Sequence, residues 1–295
     1  MAVPSLLRNR KGRRITVLSV LLLLLICFMV WVIHSNTVPA LTEVSISAEG
    51  LPEAFEGFRI VQISDLHDAK LGQDHARILA LIRKASPDAI FLTGDMIDGH
   101  EERTDIALTV SFAEQAAAIA PCYYVTGNHE GRIPPETYAE LETALTSLGV
   151  TVLHGEAVTL TRGGDTVTVA GIDSPAFGHA SAEAGDDAPA LAELCGEGFT
   201  ILLAHHPEYA ADYAEAGADL VFSGHVHGGQ FRLPFVGGVY GPGQGFFPAY
   251  DSGLYAIPSA EGETLLYVSR GLGNSGIPIR FANRPEVILA VLAAQ

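Results

Sequence analysis

Two histidines separated by one residue, His225 and His227, form the pattern in this sequence that points most directly to chemistry. Glycines flank the pair at Gly224 and Gly228, and the preceding apolar segment 219–223 is typical of a short buried strand. A glycine turn at the end of a strand can direct both imidazole rings toward one point. Because imidazole is the commonest metal ligand in proteins, we expect this pair to contribute to a metal site.

Further polar clusters follow other apolar, strand-like segments along the chain. They are Asp65-Leu66-His67, Gly94-Asp95, Gly127-Asn128-His129-Glu130 and His205-His206. Each cluster alone is weak evidence, since a lone Gly-Asp or Gly-Asn-His is usually a turn. Five clusters in series, each directly after an apolar segment, indicate one site, because ligands of open α/β sheets bind beyond the carboxyl ends of the strands.

The segments that must position these residues alternate between strand and helix patterns. Strands are predicted at 58–64, 88–93, 122–126, 199–204 and 219–223, with an edge strand at 42–46 and closing strands at 265–269 and 286–292. Helices are predicted at 73–85, 104–120, 135–148 and 207–216, and a loop at 174–190. Alternation of this kind predicts a largely parallel sheet in the first half, and the strand-rich remainder predicts a second sheet packed on it.

The order of the clusters, D-x-H, GD, GNHE, H and GHVH, resembles the calcineurin-like metallophosphoesterase family. Further segments resemble the membrane-associated bacterial branch of this family. They are Ser64–His67, Ala204–Pro207, Gly224–Gln230 and Ser269–Gly273 with Pro285-Glu286. The resemblance as a whole covers residues 43–292. The resemblance implies an α/β fold, a four-layer αββα sandwich of two mixed β-sheets flanked by helices. It also implies a metal-dependent phosphoric ester hydrolase.

The resemblance further implies two divalent metal ions that share one carboxylate. The first ion would be held by Asp65, His67, Asp95 and His227, and the second by Asp95, Asn128, His205 and His225. Mixed nitrogen and oxygen ligands favour Mn, Fe or Zn over calcium or magnesium. Because only two of these ligands are carboxylates, the centre stays cationic and suits a phosphate that is attacked by a metal-activated hydroxide.

Other polar residues near the clusters receive different predictions. His129 follows Asn128, and we expect it to be catalytic, stabilising the transition state or protonating the leaving oxygen; a structural histidine is the alternative. Asp98 is expected to orient a ligand. Arg270 and Arg280 could bind substrate phosphate or be solvated, and the sequence leaves both interpretations open.

The remaining histidines and the cysteines do not predict a second site. His206 is expected to point away from the metals, and the other histidines are expected at the surface, namely His75, His100, His154 and His179. The chain has three cysteines and no CxxC pair. We interpret Cys122 and Cys195 as buried thiols, although their pairing is not excluded.

The N-terminal segment differs from the rest of the chain. Residues 1–14 form a basic tail without acidic residues, and the run 15–33 is apolar apart from Thr16 and Ser19. This length suits a transmembrane signal anchor at 15–34, followed by a connector at 35–57 and a catalytic domain at 58–295. A cleaved signal peptide is the alternative, but its apolar region is normally shorter. The basic flank predicts a cytoplasmic N-terminus, a single pass through the cell membrane and an extracytoplasmic catalytic domain.

The charge of the remaining chain limits its partners. Residues 15–295 contain 12 basic and 34 acidic residues, a formal charge of -22. A polyanion such as nucleic acid is normally held by basic patches, so we expect no nucleic-acid partner. A small anionic substrate remains compatible, because a bound metal can dominate the local field.

These observations predict a membrane-anchored phosphoesterase that acts on phosphodiesters or phosphomonoesters of lipid-linked or cell-envelope substrates. One alternative is hydrolysis of a UDP-diacylglucosamine-type pyrophosphate, although an extracytoplasmic domain would not meet cytoplasmic nucleotide-sugars. The other is a non-enzymatic, metal-stabilised membrane scaffold, which would be expected to have lost some of the ligands.

Overall fold

The computed structural model describes residues 10–100, 104–175, 188–196, 198–259 and 262–295. The described chain begins with α1 (Arg10–Thr37), a helix of 28 residues. Between Gly12 and Thr37, a stretch of 18 residues in α1 reaches a mean hydropathy of 3.0, so its length and composition suffice to cross a bilayer. Three residues after α1 the chain enters the first sheet.

Six strands form the first sheet in the order β1-β16-β2-β3-β4-β5. Their bounds are β1 Ala40–Ala48, β2 Arg59–Ile63, β3 Ala89–Thr93, β4 Cys122–Val125, β5 Thr151–Val152 and β16 Glu286–Ala294. The four strands β2 to β5 are parallel, whereas β16 is antiparallel to β2 and parallel to β1. The carboxyl ends of β2, β3 and β4 therefore meet at one edge.

Three helices connect the parallel strands, namely α2 Ala76–Ala85, α3 Ile106–Ala117 and α4 Pro135–Ser147. Ile78, Leu79 and Ile82 lie on one face of α2 and are buried, as expected for an amphipathic helix that covers a sheet. The carboxylate of Asp105 accepts a hydrogen bond from the Ala107 amide at 3.2 Å and caps α3. Helix α4 begins with Pro135, a residue suited to the first turn.

Six further strands form the second sheet in the order β14-β15-β9-β8-β7-β6. Their bounds are β6 Glu156–Arg162, β7 Asp165–Gly171, β8 Thr200–Leu203, β9 Leu220–Ser223, β14 Gly253–Ser259 and β15 Gly262–Val268. Strands β7, β8, β9 and β15 are parallel, and a hairpin strand closes each side. Two helices belong to this half, α5 Ala188–Cys195 and α6 Ala210–Glu215.

Three apolar clusters separate four layers of secondary structure. One cluster joins α2, α3 and α4 to the first sheet, the second fills the space between the sheets, and the third joins α5 and α6 to the second sheet. Phe91 and Phe222 show the contact between the sheets, with ring centroids 5.5 Å apart. This arrangement confirms the predicted αββα sandwich. Cys122 and Cys195 are buried and not disulfide-bonded, as interpreted from the sequence.

The differences from the predicted elements have local causes. The helix predicted from residue 73 begins as α2 only at Ala76, because Asp74 and His75 adopt positive φ angles of 48° and 58°. Strand β14 was not predicted; it lies at a sheet edge and contains Pro258, which obscures a strand pattern. The predicted loop at 174–190 is wrong at its end, where α5 begins, and its residues 176–187 lie outside the described chain.

The segment between β9 and β14 contains only short pairs of strands. They are β10 Arg232–Leu233 with β11 Gly237–Gly238, and β12 Tyr240–Gly241 with β13 Gly245–Phe246. This segment starts immediately after the His225–His227 turn, so it lies next to the predicted site.

Candidate metal centre

The residues predicted as metal ligands all follow the carboxyl ends of strands. Asp65 and His67 follow β2, Asp95 follows β3, Asn128 follows β4, His205 follows β8, and His225 and His227 follow β9. Both sheets therefore deliver ligands to one place, as expected for strand ends that point the same way. The side chains come together from residues that are as much as 162 positions apart in the sequence.

Left-handed backbone occurs at most of these positions. The φ angles of Asp65, His67, Asp95, His225 and His227 are 52°, 47°, 53°, 70° and 50°. Such angles are uncommon for residues other than glycine and cost free energy unless the surroundings impose them. These strained residues are concentrated immediately after the strands. The left-handed backbone there directs their side chains toward the point where the donor atoms converge.

Two glycines permit the close approach of the loops. A Cβ atom at Gly94 would lie 2.6 Å from the amide nitrogen of Gly127, and one at Gly224 would lie 1.9 Å from Oγ of Ser64. Neither backbone can retreat without moving a ligand loop. These positions explain why the sequence has glycine directly before Asp95 and directly before His225.

A first group of four buried donors lies within the span of one ion. It consists of Asp65, His67, Asp95 and His227, whose donor atoms all lie within 4.8 Å of one another. Nε2 of His67 is 3.2 Å from Nε2 of His227, and it is 3.7 Å from Oδ2 of Asp95. Oδ1 of Asp65 is 3.6 Å from Nε2 of His227. Two ring nitrogens and two carboxylates thus converge on one point.

A second group consists of Asp95, His205 and His225, again with donor atoms within 4.8 Å of one another. Nε2 of His205 lies 3.2 Å from Oδ2 of Asp95, so Asp95 belongs to both groups. Nδ1 of His205 donates to the Thr93 carbonyl at 2.7 Å, which leaves Nε2 available as a ligand. Oδ1 of Asn128 is buried and accepts no hydrogen bond from the described part of the chain.

Burial and mutual charge fix the protonation of the first group's histidines. Burial lowers the pKa of His67 to about 3 and that of His227 well below its usual value. Burial also raises the pKa of Asp65 to about 6. Both histidines are therefore neutral, which is the form that binds metal ions.

The charges of Asp95 and His205 depend on each other. Burial alone would lower the pKa of His205, but the carboxylates of Asp95 and Asp65 raise it to about 10. Burial likewise opposes ionisation of Asp95, but His205 and the other histidines hold its pKa well below the usual value. A positive charge is therefore favoured beside Asp95 and Asp65. A divalent cation bound there would neutralise both carboxylates in the same way as a protonated His205.

His129 is buried and lies at the edge of both groups. Its Nδ1 makes a short contact with the carbonyl oxygen of Asp98, to which it donates, and its Nε2 lies 3.9 Å from Oδ2 of Asp95. Oγ of Ser275 lies 3.2 Å from the same Nε2. The backbone carbonyl of Asp98 thus fixes the ring of His129. The sequence predicts that Asp98 orients a metal ligand, and this contact with a residue outside both groups does not test that prediction.

Sequence reasoning missed Arg132 and gave no role to Glu130. Nη1 of Arg132 lies 2.8 Å from Nε2 of His129, although Arg132 is otherwise exposed. The carboxylate of Glu130 is buried and accepts hydrogen bonds from the amides of Asp95, Met96 and Gly127 at 3.0, 2.7 and 2.8 Å. Glu130 therefore ties the loop after β3 to the loop after β4. Its place in the GNHE cluster was the only sequence signal for this role.

Both predicted phosphate-binding arginines have protein partners. Arg280 is fully buried, and its side chain donates to the carbonyl oxygens of Arg270 and Gly273 and lies 3.3 Å from Nδ1 of His227. Arg270 forms an ion pair with Glu286. Arg280 is therefore not solvated; its guanidinium packs inside the protein against Nδ1 of His227.

Two expectations about other histidines are wrong. His206 does not point away: its ring centroid is 4.2 Å from that of His225, and its Nδ1 is 3.1 Å from Oε1 of Glu208. The chain turns into a 3-10 helix at Pro207, so strand alternation no longer applies. His75 is buried against Phe112 rather than exposed. Of the other histidines predicted at the surface, His100 is exposed and His154 is partly exposed. His179 lies outside the described residues.

Comparison with known proteins agrees with this geometry. The profile of the calcineurin-like phosphoesterase family matches residues 58–229, from β2 through the His225–His227 turn. The uncharacterized metallophosphoesterase YkuE of Bacillus subtilis is 32% identical over 255 residues, covering 85% of this chain and 84% of the relative.

Two further relatives have membrane- or lipid-related names. A transmembrane protein with metallophosphoesterase domain from Danio rerio is 33% identical over 86% of this chain, which spans only 57% of that relative. The UDP-2,3-diacylglucosamine pyrophosphatase LpxG of Chlamydia trachomatis is 28% identical over 88% of this chain and 92% of its own length. With the profile match and the identity to YkuE, these findings show that the chain belongs to the calcineurin-like phosphoesterase family and is a metal-dependent phosphoester hydrolase.

Proposed function

We propose that this enzyme hydrolyses phosphodiester or phosphomonoester bonds with two divalent ions held by the groups described above. Asp65, His67, Asp95 and His227 would hold one ion, and Asp95, Asn128, His205 and His225 the other. The observation that carries the proposal is the convergence of both buried groups on the shared carboxylate of Asp95. The facing ring nitrogens and the buried Oδ1 of Asn128 fit a cation better than a network of hydrogen bonds.

The charges of the site suit a phosphate. When bound, two divalent ions lower the pKa of a shared water and polarise the phosphoryl oxygens. The ligands include only two aspartates, and Asn128 is neutral, so the centre keeps a net positive charge. The buried guanidinium of Arg280, beside His227, adds to that charge. An anionic substrate and its more anionic transition state are thereby stabilised.

His129 is the side chain proposed to act on the reacting atoms. The Asp98 carbonyl accepts from Nδ1, so Nε2 faces the site as the acceptor nitrogen. Once protonated, Nε2 can give its proton to the leaving oxygen or donate to a phosphoryl oxygen. Oγ of Ser275 and Nη1 of Arg132 lie 3.2 and 2.8 Å from the same Nε2. A substrate phosphate bound beside His129 would contact these two side chains as well.

The membrane part of the proposal rests on α1. We propose that α1 crosses the cell membrane once, with the basic N-terminus in the cytoplasm and the catalytic domain outside. The domain would then act on lipid-linked or cell-envelope phosphates. The likeness to LpxG supports a nucleotide-linked diacylglucosamine pyrophosphate as a second candidate, which requires the opposite orientation.

The test is metal analysis and turnover of the full chain in detergent with added Mn. We expect two ions per chain, and hydrolysis of at least one substrate among a soluble diester, a monoester, a lipid phosphate and UDP-diacylglucosamine. Asp95→Asn should lose both ions and activity. The matched control is Asp74→Asn, at an exposed residue with a similar φ of 48°.

Each outcome of this test has a clear consequence. Absence of bound metal contradicts the central claim. Two bound ions without turnover of any substrate favour the metal-stabilised scaffold. Cleavage of UDP-diacylglucosamine alone favours the second candidate. Loss of metal in Asp74→Asn as well would show that Asp95 has no special part in binding.

A further inference from the structure

The exposed large apolar side chains of the body are confined to a small part of the described chain. Beyond α1, they occur only in two segments, and they are Leu233, Phe235, Val236, Tyr240, Phe246, Phe247 and Leu254 in the first and Ile277 and Ile279 in the second. Phe235 is fully exposed, and Phe246 is 74% exposed. Scattered apolar residues are normal on a protein surface, but nine in two adjacent segments mark a contact surface.

The two segments pair with each other. A bridge joins Phe231 to Phe281, and the amide of Arg232 donates to the Phe281 carbonyl at 3.0 Å. The side chain of Gln230 donates to the carbonyl oxygens of Ile277 and Ile279 at 2.8 Å. The hairpin tip at Phe235 and the loop at Ile277 therefore form one surface, which we call the apolar rim (residues 233–236 and 277–281). It carries five of the nine exposed apolar side chains, namely Leu233, Phe235, Val236, Ile277 and Ile279.

The apolar rim is attached to the membrane helix. The ring of Phe281 contacts those of Trp31 and Phe28, with centroids 5.3 and 6.5 Å apart. The side-chain amide of Asn36 donates to the carbonyl of Arg280 at 3.0 Å and accepts from its amide at 2.6 Å. Two hydrogen bonds in opposite directions and an aromatic contact fix the rim against the last turns of α1.

The position of these contacts along α1 gives the depth of the rim. Trp31 and Phe28 precede Thr37 by six and nine residues, which at a rise of ~1.5 Å per residue is roughly 9 and 13 Å along the axis. Both belong to the apolar run 15–33 that would span the hydrocarbon. A body residue that contacts them cannot lie above the membrane surface, so Phe281 is at the level of the headgroups or below.

Basic side chains mark the level of the lipid headgroups. Arg77 contacts the carbonyl of Thr37 at the end of α1, and Arg284 donates to the carbonyl of Val38 at 3.0 Å. These are two of only 12 basic residues in a strongly acidic body. Arginines at the end of a membrane helix suit anionic headgroups.

The metal centre borders the same surface. The chain between His227 and the hairpin tip is only a few residues long, and Ser275, two residues before Ile277, contacts His129. The side chain of Arg280 lies beside His227, while its backbone is bonded to Asn36 of α1. One residue thus links the membrane helix to a metal ligand.

We propose that the apolar rim inserts into the membrane leaflet from which α1 emerges, and that it presents the metal centre to phosphoesters embedded in that leaflet. The occupant of the rim is the lipid surface. This inference rests on the proposed function for the membrane crossing of α1 and for the reaction. It assigns the rim as a second membrane contact and the lipid phosphoester as the substrate class.

Insertion is tested by fluorescence, without reference to turnover. Trp31 is the only tryptophan, so Phe235→Trp in a Trp31→Phe background reports on the hairpin tip alone. The full chain is placed in vesicles of phosphatidylcholine and phosphatidylglycerol, with the phosphatidylcholine brominated on its acyl chains. We expect strong quenching of the tryptophan emission, because bromine quenches only within the bilayer.

The matched control is Thr161→Trp in the same background. Thr161 is exposed on the β6–β7 hairpin. In this hairpin the carboxylate of Asp165 accepts a hydrogen bond from the amide of Ala54, a residue that follows the end of β1 farthest from α1. Strand β1 extends nine residues from α1, roughly 30 Å at the usual rise, so this tryptophan should not be quenched. If brominated lipid quenches the tryptophan emission of both variants to the same extent, the proposal is overturned. Protection of Phe235→Trp from aqueous iodide without quenching by bromine also overturns it, because a protein partner then covers the rim.

The substrate class is tested by a second comparison. Phe235→Ser should lower hydrolysis of a vesicle-embedded phosphoester by about tenfold or more, since burying one phenylalanine is worth at least one power of ten in binding. Hydrolysis of a soluble diester should be unchanged. Equal effects on both substrates contradict the inference, whereas failure of the unsubstituted enzyme on all substrates contradicts the proposed function and leaves the quenching result valid.

Discussion

Nη2 of Arg280 lies 3.3 Å from Nδ1 of His227, the side of the ring opposite to the nitrogen that faces His67. Arg280 is fully buried, and burial lowers its pKa to about 10, so the guanidinium remains charged at neutral pH. A permanent positive charge thus lies directly behind a proposed metal ligand. It compensates the negative charge of Asp65 and limits the positions that the His227 ring can take.

We predict that Arg280→Met destabilises the enzyme. The substitution leaves the buried carbonyls of Arg270 and Gly273 without their donor, which costs about 2–4 kcal/mol in unfolding free energy. At this chain size the thermal midpoint should fall by roughly 6–12 °C. Thermal unfolding of the full chain in detergent measures the change.

The control for this substitution is Arg83→Met, at an exposed residue of α2. It removes the same charge without removing a buried donor and should change the midpoint by less than about 2 °C. Equal shifts for both variants would mean that the contacts of Arg280 do not stabilise the fold.

Most of the fold and the convergence of the candidate ligands could be predicted from the sequence, because the apolar strands are short, continuous and each followed by a polar cluster. Strand-helix alternation fixes the parallel halves of both sheets, and the ligands follow from their places at strand ends. The side chains that contact His129 could not be predicted in this way. Arg132 reaches it through a 3-10 turn, and Ser275 reaches it from 146 residues away.

The rim and its contact with α1 could not have been predicted from local patterns. The segment 230–250 has many glycines and no regular periodicity, so its exposed phenylalanines resemble a loop that contains a few core residues. The contact with α1 is made by the other part of the rim, where Phe281 packs on Trp31 and the carbonyl of Arg280 accepts a hydrogen bond from Asn36. The segment 230–250 is joined to it through the bridge between Phe231 and Phe281. Burial of His75 and the position of His206 depend on similar non-local contacts.

His129→Ala is predicted to abolish turnover while leaving the metal content unchanged. His129 is not among the grouped donors, and its Nε2 faces the site. Loss of a general acid typically lowers kcat by 10²–10⁴, and we expect a loss of about that size. Metal analysis and steady-state kinetics on the same preparation test both statements. Unimpaired turnover with two bound ions would assign His129 a structural role only.

Arg132→Ala is predicted to raise KM more than it lowers kcat. The guanidinium is exposed and contacts His129, a position from which it can bind a non-transferred phosphate oxygen. Loss of one such contact should raise KM by about tenfold, equivalent to roughly 1.4 kcal/mol. Arg132→Lys should recover part of the binding because it keeps the charge. An unchanged KM with a lowered kcat would indicate instead that Arg132 acts by positioning His129.

The pH dependence of stability is predicted from His154 and its acidic neighbours. Nδ1 of His154 lies 2.9 Å from Asp173, while Nε2 faces Glu142 at 3.3 Å and the Tyr138 hydroxyl at 3.4 Å. The hydrogen bond to Asp173 raises the pKa of His154 above its ordinary value of 6.5. The charged pair therefore stabilises the folded state fully below that value, and the contribution disappears as the pH rises through the raised pKa.

His154→Gln should accordingly lower the thermal midpoint most at about pH 6 and least near pH 9, where the native histidine is neutral as well. Glu142→Gln is the matched comparison and should have a smaller effect, because Glu142 is 39% exposed whereas Asp173 is buried. Thermal unfolding of the three proteins across this pH range measures the difference. A midpoint difference that is constant with pH, or that grows toward high pH, would show that the native pair is not stabilised by the charge of His154.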